Sequence, residues 1–85
     1  MNELDDVMEA MQRLIEDHAI PKNIKAKLMS ISDILTSPEE QSIKVNKALD
    51  ELEEVQGDTN LQAFTRTQLW ELSSLLEAVI SGPSH

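Results

Sequence analysis

Two of the side chains most used for nucleophilic, acid–base and metal chemistry, cysteine and histidine, are scarce in this chain. It holds two histidines, His18 and His85, and no cysteine. Thiolates and imidazoles are the usual nucleophiles, bases and transition-metal ligands near neutral pH. A Ser/His/Asp set can be written on paper from His18, Asp17 and a serine, but no spacing orients its members. Four-helix carboxylate proteins hold paired metals with inward glutamates and Glu-x-x-His pairs. Neither histidine here has a glutamate three residues before it. "DTNLQ", Asp58 to Gln62, opens like a calcium loop, yet Ala63 stands where its glycine belongs and Leu69 where its closing glutamate belongs. "DELEE", Asp50 to Glu54, reads as a solvated helix face. The expectation is a non-enzyme with no catalytic residue, no cofactor and no metal. His18 is read as a partly exposed residue at a helix C-terminus, and His85 as part of a tail.

Anion binding has more to stand on. Lys22, Lys25 and Lys27 follow Pro21 at the start of a helical pattern, where free backbone N–H groups favour anions. Arg66 occupies the comparable place in a later helix. If both helix starts lie at one end of the molecule, these four make a small basic rim. Against that reading stand sixteen carboxylates to seven Lys and Arg, a formal net charge of −9, which repels phosphate backbones. Stacking aromatics are also lacking: Phe64 and Trp70 are the only ones. The competing structural role is bracing, Asp17 to Lys25 and Asp58 to Arg66.

These side chains need elements to position them. In 85 residues there is one domain, with 40 % apolar residues, nearly all aliphatic, and two glycines. That composition suits helices and is poor for strands. The longest apolar run is "AVI", Ala78 to Ile80, so nothing spans a bilayer, and the acidic "MNELDDV" is unlike a targeting peptide. A cytoplasmic protein is expected.

Apolar spacings of three and four predict four helices. The first carries Leu4, Val7, Met8, Met11, Leu14 and Ile15, with Asn2 as its N-cap. Pro21 opens the second, with Ile24, Leu28, Ile31, Ile34 and Leu35. "SPEE" predicts the start of the third, with Ser37 as cap, Pro38 in the first turn and Glu40 completing a capping box. Its stripe is Val45, Ala48, Leu49, Leu52 and Val55. "QGDTN", Gln56 to Asn60, is a turn. The fourth helix has Leu61, Leu69, Leu72, Leu75, Leu76 and Val79 until "SGP", Ser81 to Pro83, stops it.

A shift of 41 residues superposes Leu4, Val7, Met8, Met11 and Leu14 on Val45, Ala48, Leu49, Leu52 and Val55 without a gap. It also places Asp17 on Asp58, Lys25 on Arg66 and Leu28 on Leu69. The period falls in the range of helical solenoids, which need three or more units, so two units should close on each other. The predicted fold is an all-α antiparallel four-helix bundle of two similar hairpins, about 2–36 and 37–81, with 82–85 a disordered tail.

The local signatures resemble a known family. "EDHAIPKNIK" is similar to the acidic-x-x-Val-Pro-Arg-Asn-Ile-Arg segment of the small archaeal uncharacterised protein family 0147, through Ile20, Pro21, Lys22, Asn23, Ile24 and Lys25. Asp58, Asn60, Arg66, Thr67 and Trp70 match that family's second signature. Thr59 and Gln62 replace its prolines there and Phe64 its histidine, so no role of that histidine carries over. The resemblance covers about residues 4 to 79. It implies a small four-helix fold in a cytoplasmic archaeal protein and implies no activity.

Partner surfaces remain. Met29 and Trp70 hold the same place in the 41-residue register and point away from their stripes, and Ile43 does likewise on the third helix. Such off-stripe residues either anchor a partner or form a second, narrower stripe that closes one hairpin on the other, and Trp70 fits both. The function expected is a protein interaction, adaptor or self-associating module using Met29, Ile43 and Trp70. The alternative is an RNA- or ribosome-associated factor using Lys22, Lys25, Lys27 and Arg66.

Overall fold

Apolar residues three and four apart fall on one side of a 3.6-residue turn, so each stripe is buried only if its segment coils into a helix. The computed structural model describes residues 3–58 and 61–81. There, α1 spans Glu3–Glu16, α2 Lys22–Leu35, α3 Gln41–Gln56 and α4 Ala63–Ser81, with no strand among the described residues. The connections are short, which makes neighbours antiparallel. Helices α1 and α3 each pack on both α2 and α4, closing a ring in which α1 faces α3, and α2 faces α4, across a diagonal. Direction is visible in the cross-links. Lys27 in the second turn of α2 reaches Glu51 and Glu54 near the end of α3. Gln56, ending α3, donates to Ser73 Oγ in α4 at 2.9 Å. The result is an all-α antiparallel four-helix bundle.

Its core is aliphatic. Leu4, Val7, Met11, Leu14, Ile20, Ile24, Leu28, Ile31 and Leu35 are buried, and so are Val45, Ala48, Leu52, Val55, Leu61, Thr65, Leu69, Leu72 and Leu76. Each residue of the second set lies 41 positions after one of the first; Val79 is buried as well, and Pro38, 41 positions before it, is exposed. The corners correspond as well. The Asp17 N–H donates to the Leu14 carbonyl, and the Asp58 N–H to the Val55 carbonyl; the Ile20 N–H donates to Asp17, and the Leu61 N–H to Asp58.

Pro21 opens α2 from the N-cap position, extended at ψ 150°, and its carbonyl accepts the first bond, from the Lys25 N–H. Several local expectations need correction. "SPEE" does not start α3, which begins at Gln41 after Glu40 as N-cap. Nothing apolar lies between Pro38 and Ser42, so an earlier start would bury nothing. These residues form the corner instead. Thr36 Oγ1 donates to the Ser32 and Asp33 carbonyls to finish α2, Lys44 holds the Ser37 carbonyl, and Lys47 grips the Glu39 carboxylate at 2.9 Å. Ser37 Oγ caps nothing and is buried without a partner. Asp17 does not brace Lys25, because its Oδ1 accepts the Ala19 N–H at 2.9 Å to shape its own turn. The expected cap at Asn2, the stop at Gly82 and Pro83 and the tail 82–85 lie outside the described residues.

Candidate functional site

The antiparallel ring puts the starts of α2 and α4 at the same end as the finishes of α1 and α3. Lys22, Lys25 and Lys27 on α2 and Arg66 on α4 therefore share one end, on diagonal helices. Two of the four are engaged. Lys27 Nζ lies 3.2 Å from Glu51 Oε1 and 3.3 Å from Glu54 Oε1. Its hydrogen bond to Glu51, then that to Glu54, holds the amine charged and raises its pKa above the ordinary lysine value. Arg66 donates from Nη1 to the Gln56 carbonyl at 3.2 Å and from Nη2 to the Asp58 carbonyl at 3.3 Å. A finishing helix leaves such carbonyls without partners, so the guanidinium ties the α3–α4 corner. Lys22 and Lys25 make no ion pair among the described residues.

The apolar candidates are on the outside. Trp70 is 63 % exposed, although Leu69 before it is fully enclosed. Met29 and Ile43 are exposed too. The structure does not gather the three: Met29 is on α2, diagonal to Trp70, and Ile43 is in the first turn of α3.

Trp70 forms a crest between two depressions. On one side, α1 and α4 leave a groove of about 600 Å³ walled by Ala10, Leu14, Gln68, Leu72 and Leu75. On the other, a trough of about 250 Å³ between α3 and α4 is edged by Asp50, Glu53 and Glu77. Leu75 is a correction to the stripe of α4, because it is 39 % exposed and lines the groove instead of filling the core.

Phe64 and Ile80 are further exposed apolar residues that periodicity did not single out. The 41-residue register carried a signal for Phe64, since it aligns with exposed Asn23 while Thr65 aligns with buried Ile24. Other chemistry is thinly supplied. His18 is exposed beyond the end of α1, and His85 lies outside the described residues. Among the described residues no three of His, Cys, Asp and Glu come together to hold a metal ion. No described helix is long and apolar enough to cross a membrane.

Fold and surface together define a small acidic antiparallel four-helix bundle with an exposed tryptophan crest. The family described as "Uncharacterised protein family (UPF0147)" matches residues 1–79, and the chain belongs to it. It is 34 % identical over 76 residues to a UPF0147 protein of Archaeoglobus fulgidus, covering 89 % of this chain and 87 % of the relative. A UPF0147 protein of Methanothermobacter thermautotrophicus is 31 % identical over 74 residues, 86 % of this chain and 72 % of its own. The crystal structure of a UPF0147 protein from Thermoplasma acidophilum superposes with a TM-score of 0.86 at 28 % identity, covering 91 % of this chain and 92 % of that one. The crystal structure of another protein of unknown function gives a TM-score of 0.83, also at 28 % identity, covering 88 % and 86 %.

Proposed function

We propose that this chain is a non-enzymatic protein–protein interaction module whose contact face centres on Trp70. The observation that supports this is the crest itself: a 63 % exposed indole between an apolar groove and an acidic trough. Interfaces concentrate their binding free energy in a few large side chains, tryptophan foremost, set among contacts that exclude water. The experiment is affinity purification from the native cell with wild-type and Trp70→Ala bait, with and without nuclease. A partner that survives nuclease and is lost from Trp70→Ala supports the reading. Identical partners on both baits end it.

We infer a second reading from the shared end of α2 and α4, on which Lys22, Lys25 and Arg66 would contribute to one basic rim. An RNA- or ribosome-associated factor using that rim with Lys27 would lose its partners on nuclease treatment and bind with a steep salt dependence. Association that ignores both nuclease and salt speaks against it.

A further inference from the structure

The same 41-residue shift that aligns the buried positions lays the α2/α3 seam on the α4/α1 seam. Lys27 falls on Gln68, Glu51 on Ala10 and Glu54 on Arg13. At the first seam Lys27 bridges the outer edge to two carboxylates at 3.2 and 3.3 Å. At the second, no ion pair or side-chain hydrogen bond crosses among the described residues. Ala10 offers a methyl group, Arg13 turns along its own helix to Glu9 at 3.3 Å, and Gln68 Oε1 is buried with no hydrogen-bond partner. The unbridged seam is the one that holds the groove of about 600 Å³. Its wall keeps Leu75 39 % exposed, where the residue 41 positions earlier, Ile34, is half-buried.

Charge selects the occupant. Asp17 and Glu71 edge the groove, and Asp50, Glu53 and Glu77 lie across the Trp70 crest. Among the described residues the one cation lining the groove, Arg13, is paired with Glu9. A second copy would bring a net charge of −9 to this face, and a nucleic acid would bring phosphates. A helix with an apolar stripe flanked by lysines or arginines fits both features. The stripe enters the groove, the cations meet the carboxylates, and one can lie over the Trp70 ring. We propose that the α1/α4 groove, together with the acidic trough beyond Trp70, seats a cationic amphipathic helix of another protein. The proposal rests on the reading of Trp70 as a contact face and adds the seat and the chemistry of what fills it. A partner helix about as long as α1, roughly four turns or ~21 Å, would lie along the seam.

The test uses two synthetic helical peptides of one leucine stripe, one flanked by lysines and one by glutamates, and follows fluorescence of Trp70, the single tryptophan. The lysine peptide should shift Trp70 emission to the blue and bind at least about tenfold tighter than the glutamate peptide. The double variant Ala10→Glu/Gln68→Lys supplies the missing bridge without changing net charge, and should weaken the lysine peptide by about tenfold while Trp70 stays exposed. Leu75→Lys, at an exposed position, is the second variant and should weaken it too. Equal binding of both peptides, no binding of the lysine peptide, or full binding by the variants overturns the proposal. So does a stable dimer in light scattering that the lysine peptide leaves intact. If Trp70→Ala loses the native partner while the bridged variant keeps it, the seat is wrong and the Trp70 reading stands. If Trp70→Ala keeps that partner, the reading itself fails.

Discussion

The α2/α3 and α1/α4 seams rest on corresponding buried positions and differ at their outer edges. Under both lies a leucine at the middle of the core, Leu28 below one and Leu69 below the other, each fully enclosed. Over the first, Lys27 joins Glu51 and Glu54; over the second, Ala10 and Gln68 leave a groove beside an exposed tryptophan. The inner layer answers to close packing, which tolerates few voids. The outer layer carries charge and shape that the core does not need, and there the two seams differ.

That contrast can be broken most strongly from beneath. Leu28→Ala and Leu69→Ala should each cost about 2–5 kcal/mol by urea unfolding, out of roughly 4–13 kcal/mol expected for a domain of this size. A clearly smaller cost at Leu69 would show that the open seam relaxes into the cavity where the bridged one cannot. At the corners, Arg66→Ala removes two bonds to the carbonyls of Gln56 and Asp58, whereas Lys25→Ala, its counterpart, removes no ion pair. The arginine change should cost more, though about 1 kcal/mol or less because the group is exposed. Trp70→Ala should alter stability by about 0.5 kcal/mol or less, since the ring is surface. A loss near that of Leu69→Ala would place the indole in the core.

The smallest effect is the bridge itself, read through pH. Glu51 first, then Glu54, raises the Lys27 pKa, so folding gains while the amine is charged. That gain is full below the unfolded lysine value of about 10.4 and is lost as pH rises through the higher folded value. Melting temperatures of wild type and Lys27→Met should therefore differ at neutral pH and converge only in strong alkali. A gap that closes at mildly alkaline pH would contradict the bridge.

Helix number, the antiparallel bundle and nearly all buried positions were legible because burial periodicity is written locally, three or four residues at a time. The family was legible in two short signatures. What escaped was decided by competition between groups far apart. "SPEE" has good capping chemistry, but Lys44 and Lys47 reach back and hold it as a corner. Asp17 found a donor two residues away before a lysine eight away. Leu75 belongs to the stripe of α4 by spacing, yet only the width of the α1/α4 seam determines that it is left half outside. Met29, Ile43 and Trp70 stand off their stripes by spacing, but spacing alone left Trp70 open between a partner surface and the hairpin seam, and it carries no information on whether the three converge.

By itself, the sequence determined which residues coil into helices, which face of each is apolar and how strongly acidic the surface is, because these follow from residue type and a fixed 100° step. Only the tertiary structure decided which helices are neighbours, and with that the contrast between the seams. Lys27 closes one because α3 offers it two carboxylates; Gln68 leaves the other open because α1 offers a methyl group. A groove is a property of two helices, and no single stripe encodes it.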